Sequence, residues 1–237
     1  MRLYVWILLA LWPILSKAIS DPLAQPDIDV YDTASLRRGA KLYVDRCLGC
    51  HSLKHLRYLR LKQDLQFSDA EFKALFPSLE RITGTLTSSM ASEDATHWFG
   101  VPAPDLSERA RALGTDWLYT YLRGFYQDDA RPFGVNNLVF KDVAMPNVLW
   151  DLQGKQIAVI EEVDSTPSVR GLKLVEPGAL SPKEFDLAVA DLVNFLAYAA
   201  EPSQLERRRL GKYVIGFLIV LALVMYRLKQ AYWKDIH

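Results

Sequence analysis

The chain has 237 residues, half of them apolar, with 28 basic against 28 acidic side chains, which is enough apolar material to bury the core of one fair-sized domain or two small ones. The zero formal charge averages two unlike regions: between Asp21 and Glu206 stand 27 acidic residues against 19 basic, a net −8, whereas residues 207–237 hold seven basic residues and the single acid Asp235. An acidic body with basic ends argues against nucleic-acid binding by the body and suits a basic partner.

Residues 1–20, MRLYVWILLALWPILSKAIS, begin with Arg2, run apolar from Leu3 to Leu15 and close on the small residues that signal peptidase needs, Ala18-Ile19-Ser20. A secretory signal over 1–20 is expected, with an uncleaved amino-terminal anchor as the alternative. After a Pro- and Asp-rich lead-in, Leu36, Ala40 and Val44 recur every four residues and predict a helix running into CLGCH, with Thr33 or Ser35 as its cap. Ser68 and Glu71 form a capping-box pair ahead of Phe72, Leu75 and Phe76, which starts a second helix. Residues 77–107 read as irregular, Asp116 to about Phe125 as a third helix, and 126–182 as loop with a short hairpin in KQIAVIEEV. Ser181-Pro182-Lys183-Glu184 is a strong helix start, and that helix stops before Pro202. A last helix runs from about Ser203 through the uncharged stretch YVIGFLIVLALVMY. Fourteen residues are short for a span of about twenty, but Lys212 and Arg227 can snorkel, and Tyr213, Tyr226, Tyr232 and Trp233 sit at interfacial positions. Basic residues flank both sides, so the signal decides orientation: body exported, tail cytoplasmic.

CLGCH, residues 47–51, holds both cysteines of the chain. C-x-x-C-H is the attachment signature of c-type haem: each thiol adds to one vinyl group, and the adjacent His becomes the proximal iron ligand. A thioredoxin-type dithiol lacks its βαβ setting here, and zinc lacks a second ligand pair, with His55 the one extra candidate nearby. Export agrees with haem attached on the far side of the membrane. For the sixth iron position the choices are Met90, Met145, His55, His97 or nothing; His55 is placed one helical turn after His51, on the wrong side of the ring. Met145 is preferred because Pro146 keeps the backbone extended and presents the thioether, a soft ligand that favours ferrous iron.

Beyond the haem motif, RRGAKLYVDRCLGCHSL (37–53), PAPDLSERAR (102–111), TDWLYTYLRGFY (115–126), VAMPNVL (143–149), LSPKEFDLAVADLVNFLAYAAEP (180–202) and the tail from QLERRRLGKYVIGF to YWKDIH (204–237) stand in one order. In that combination the chain resembles the cytochrome c1 family, the haem subunit of the cytochrome bc1 complex. The resemblance implies an all-α fold: a cytochrome c-like haem domain with long loops over 21–206, then an anchor helix and short cytoplasmic tail over 207–237. It implies one covalent haem c per chain on Cys47, Cys50 and His51, Met145 as the axial methionine, Arg111 at a haem propionate and Pro104 in the stretch lining the haem. It implies cytochrome b, a Rieske iron–sulfur protein and a basic cytochrome c as partners; the short signal fits a bacterial inner membrane, with the haem domain in the periplasm. The chain would then be no enzyme by itself but the electron-transfer subunit of a quinol–cytochrome c oxidoreductase. Trp117 replaces a tyrosine common in the family, Ala103-Pro104 replaces two prolines, and the disulfide that braces the Met loop in some members cannot form. The acidic groups at Asp128-Asp129 and Glu161-Glu162-Asp164 read either as solvated loops or as docking charge. Rival readings are a membrane-tethered monohaem cytochrome c serving a terminal oxidase, and a haem peroxidase or gas sensor with an open sixth position.

Overall fold

A computed structural model describes residues 23–163 and 166–234; the expected signal segment, 1–20, lies outside the described residues. Helix α1, Thr33–Arg46, is capped by Asp32, whose carboxylate accepts from the amides of Ala34 and Ser35 at 2.9 and 3.1 Å. The cap thus falls one residue before the Thr33 expected: a carboxylate also complements the positive end of the helix, which a hydroxyl does not. Leu36, Ala40 and Tyr43 form the buried face, and Val44 is only half-buried.

After the Cys47–His51 turn the chain extends into β1, Leu53–Arg57, paired antiparallel with β2, Thr85–Leu86. Two short helices follow β1: α2, Tyr58–Asp64, and α3, Asp69–Leu75, which opens with the Ser68–Glu71 capping box. The region read as irregular contains α4, Ser92–Phe99, ended by Gly100 in the left-handed conformation. Next come α5, Arg109–Leu113, and α6, Thr115–Arg123. A small ribbon pairs β3, Phe125–Gln127, with β4, Val135–Asn137. Helix α7, Trp150–Gln153, leads into a long hairpin of β5, Gly154–Val163, and β6, Thr166–Pro177. The expected all-α class is therefore corrected in part: helices dominate, but among the described residues three two-stranded ribbons are built in. Gly154, at φ +90°, lies where an added Cβ would come within 2.1 Å of the Glu176 carbonyl, so the hairpin base closes only on a glycine.

Helix α8, Pro182–Ala200, is the hub. Its start is the expected one, with Ser181 and Glu184 exchanging capping hydrogen bonds and Pro182 in the first turn. It packs against α1, α5, α6 and α7, burying Phe185, Val189, Leu192, Val193, Phe195, Leu196 and Tyr198; each such side chain contributes roughly 1.5–3 kcal/mol. At its crossing with α1, Gly39 lets the backbones touch: a Cβ there would meet the Asp191 carbonyl at 2.0 Å. Beside it Arg38 holds the Asp191 carboxylate through two hydrogen bonds of 2.6 and 2.8 Å.

Helix α9, Gln204–Trp233, has no buried residue and a mean hydropathy of 1.8 over its most apolar window. Thirty residues rise about 45 Å, long and apolar enough to cross a membrane core of about 30 Å.

Candidate functional site

The Cys47–His51 turn continues α1 by helical hydrogen bonds: the Cys47 amide donates to the Tyr43 carbonyl at 2.8 Å and the His51 amide to the Cys47 carbonyl at 2.8 Å. Tyr43, fully buried against Phe195 of α8, donates its hydroxyl to the His51 carbonyl at 2.6 Å. The motif is therefore tied to the core on its carbonyl side, and the imidazole is left to face a cleft.

That cleft is lined by Cys47, Cys50 and His51 from the motif, Phe99 at the end of α4 and Val101–Pro104 after it, and Ala144, Met145, Pro146 and Val148 from the loop before α7, with Arg46 at one side. Of the site residues expected from sequence, five meet here: Cys47, Cys50, His51, Met145 and Pro104. Arg111 does not. It stands on the exposed face of α5 and lines a separate cavity with Ile28 and Ala197. Met90 lies outside the cleft lining, and His97 is exposed on α4. His55 is not on a helix at all: it sits on β1, its ring 3.8 Å from Glu108. The helical placement of His55 fails because 53–57 pairs with β2 and gives its Lys54 and His55 amides to Asp105 and Ser107 rather than to preceding carbonyls.

The segment around Pro104 is fixed by that same extended strand. Asp105 accepts from the Lys54 amide at 3.1 Å and the Ser107 amide at 2.8 Å, the Ser107 hydroxyl accepts from the His55 amide at 3.1 Å, and the Leu106 amide donates to the Ser52 carbonyl at 2.9 Å. Burial pushes the Asp105 carboxyl up, but hydrogen bonds from Ser107 and Lys54 outweigh it and hold the group below the usual carboxylate range. The consequence reaches the imidazole: His51 Nδ1 lies 2.7 Å from the Pro104 carbonyl. A carbonyl only accepts, so Nδ1 carries the proton and Nε2 keeps its lone pair. Burial also pushes the imidazole pKa down, favouring the neutral ring that binds metals.

Burial likewise pushes the Cys47 thiol up to about 12. A redox dithiol of thioredoxin type works through a lowered thiol pKa, so this one is shifted the wrong way for that chemistry.

Met145 is held by a loop with polar anchors on both flanks. Upstream, buried Asn137 accepts from the amides of Val139 and Phe140 at 3.0 and 3.3 Å and donates to the Tyr121 carbonyl at 2.8 Å, while buried Asn136 accepts from the Asp142 amide at 2.9 Å and donates to Asp128 at 2.9 Å. Downstream, Asn147 accepts from the Leu149 amide at 3.1 Å and donates to Gln153 at 3.2 Å. The Tyr121 hydroxyl donates to the Met145 Sδ at 3.4 Å. Tyr121 stacks on Trp117 at 4.9 Å and meets Phe125 and Phe140 edge-on, so the sulfur is backed by an aromatic wall. Sequence reasoning missed Asn136, Asn137 and Tyr121 as site residues. The adjacent asparagines were a usable signal, since Asn side chains replace backbone partners in turns. Asp128, considered for docking, is spent on this turn.

The donor set of two cysteines, one Nε2 with a free lone pair and one thioether on a single apolar cleft fits a covalently bound haem with His/Met ligation. The model of the Cytochrome C1 family matches residues 25–97 and 81–236. The chain belongs to the cytochrome c1 family. It is 47% identical to cytochrome c1 of Allochromatium vinosum over 99% of this chain and 98% of the relative. It is 43% identical to a protein named ammonia monooxygenase gamma subunit of Nitrosomonas europaea over 98% of this chain and 96% of that one. With cytochrome c1 of Rhodospirillum rubrum the identity is 28% over 87% and 83% of the two chains. Membership in the cytochrome c1 family gives the chain a haem cofactor and a place in electron transport, and α9 fits a single-pass anchor.

Proposed function

We propose that Cys47 and Cys50 hold one haem c through two thioether bonds, with His51 Nε2 and Met145 Sδ as its axial ligands, and that the chain passes single electrons from a Rieske iron–sulfur protein to a basic soluble or tethered cytochrome c. The observation that carries this reading is the pairing within one cleft of an imidazole whose Nδ1 is committed to Pro104 and a thioether oriented by Tyr121. Haem supplies a one-electron couple; the chain supplies ligand choice, burial and orientation. The Pro104 carbonyl fixes the tautomer and ring plane of His51. The apolar lining from Phe99, Val101 and Val148 excludes water and favours the less charged ferrous state. Arg111 enters as a propionate partner from the motif resemblance alone, since α5 carries it on an exposed face.

In this reading the body is exported to the periplasm, α9 crosses the bacterial inner membrane and the C-terminus is cytoplasmic. Cytochrome b carries out quinol oxidation, and the net −8 of the 21–206 body steers a basic acceptor. The test is optical. A thioether-linked pyridine haemochrome, the weak red charge-transfer band that methionine gives ferric haem, and only slow carbon monoxide binding to the ferrous protein are expected. Free carbon monoxide binding without that band would move the chain to the enzyme or sensor class. Co-purification with cytochrome b and a Rieske protein separates the bc1 role from a carrier serving a terminal oxidase. The likeness to an ammonia monooxygenase gamma subunit favours a second reading, in which the same haem domain serves another redox assembly; the same pull-down distinguishes it.

A further inference from the structure

Arg46, the residue before Cys47, lines the same cleft as Met145. Its guanidinium grips Asp151 at two points, Nη1 to Oδ1 at 2.9 Å and Nη2 to Oδ2 at 2.9 Å, while Nε donates to Asp45 Oδ2 at 2.6 Å. Asp151 lies in the first turn of α7, six residues after Met145. Its own carbonyl accepts from the Ala179 amide at 2.8 Å, which pins α7 to the segment entering α8. Among the described residues no other hydrogen bond joins 46–52 to 143–151.

Beyond the apolar packing of Val148 and Leu149 into the core, the Met145 side of the cleft is thus attached to the CLGCH side by one ionic fork. The chain has no cysteine beyond Cys47 and Cys50 with which to make that attachment covalently. A fork-to-carboxylate contact fixes orientation as well as distance, which a single lysine contact does not. Asp45 holds the third guanidinium nitrogen, so the fork is aimed before Asp151 arrives.

We propose that Arg46 is a positioning residue for Met145, its ion pair with Asp151 acting as a clasp that keeps the methionine loop closed on the cleft. The proposal rests on the reading of Met145 as an iron ligand. With Met145 on the iron, carbon monoxide enters ferrous haem only when the loop opens, so its binding rate reads the open fraction directly.

The experiment measures carbon monoxide binding to the reduced, membrane-solubilised full chain and the ferric methionine band for the wild type, Arg46→Met, Asp151→Asn, the double variant and Arg46→Lys. Rates are taken per haem from the pyridine haemochrome, so loss of folded protein does not enter. The side chains are 29% and 35% exposed, and breaking a pair so placed is expected to raise the rate about three- to fivefold in each single variant. The double variant should match the singles rather than multiply them, because both remove one contact, and Arg46→Lys should fall between. Unchanged rates in the single variants, or multiplied effects in the double, with the band present in the wild type, overturn the clasp alone. A wild type without the band that binds carbon monoxide freely overturns the ligand assignment, and the clasp with it.

Discussion

The Tyr121 hydroxyl donates to the Met145 sulfur at 3.4 Å from a helix, α6, whose other face is buried in the core. Burial pushes the Tyr121 hydroxyl up to about 12, so it keeps its proton and remains a donor at any physiological pH. With Met145 on the iron as proposed, a proton shared with the thioether withdraws electron density from the sulfur, which weakens its donation to ferric iron more than to ferrous. Tyr121→Phe is therefore expected to lower the reduction potential, by on the order of 20–60 mV for a weak hydrogen bond in a one-electron couple. Redox titration of the membrane-bound protein checks it; an unchanged potential would place the hydroxyl outside the electronics of the site.

Met145→Leu removes the sulfur and keeps the bulk. The expected outcome is loss of the ferric methionine band, carbon monoxide binding to the ferrous form, and a potential lowered by roughly 100 mV or more. A variant that keeps both band and potential would take Met145 off the iron.

Gly39→Ala tests the crossing on which the motif helix stands. The new Cβ would meet the Asp191 carbonyl at 2.0 Å and Phe195 Cβ at 2.8 Å, and neither belongs to a flexible side-chain end. A loss of about 3 kcal/mol in stability is expected, the upper end of typical overpacking. Chemical denaturation of the holoprotein measures it, and a loss below about 0.5 kcal/mol would mean the two backbones can separate at little cost.

Asp105 sets an acid limb. Its carboxyl has an ordinary value of 3.8 and a lower one in the folded chain, so its contribution is fully present above 3.8 and is lost as pH falls through the folded value. Asp105→Asn should flatten the pH dependence of thermal unfolding in that acid range by lowering the neutral plateau, while stability at the acid end stays close to wild type. A slope identical to wild type would show that the Lys54 and Ser107 amides do not hold the anion.

A chain ending at Glu206 should leave the membrane. Helix α9 buries no residue, so its removal is expected to shift the unfolding of the haem domain by less than about 0.5 kcal/mol. Fractionation and thermal unfolding report the two outcomes separately; a truncated body that stays with the membrane would point to a second attachment.

How legible was this in the sequence? The helix starts at Ser68 and Ser181 were readable because a capping box is a local device with its partners three residues apart. The haem motif was readable for the same reason: Cys47, Cys50 and His51 share one turn. What escaped was set by distant partners. The strand that carries His55 is not legible because nothing within 53–57 reveals that Asp105 and Ser107 accept its amide hydrogen bonds. The sequence predicts only a short hairpin within KQIAVIEEV where β5 pairs with the whole of β6, because exposed apolar residues such as Ile160 blur the alternation. Arg46 beside the cleft also escaped, because only the tertiary structure brings it near Asp151.

The helix that delivers the haem motif lies near one end of the domain's sequence, and α8, the surface it stands on, near the other. Arg38 waits for Asp191 and Tyr43 for Phe195, contacts of such long sequence separation that their loop-closure cost delays them in folding. On the proposed reading of an exported chain with a covalent haem, both thiols emerge from the export channel well before their support exists, so the cofactor would be attached to an open chain and the fold would close over it afterwards.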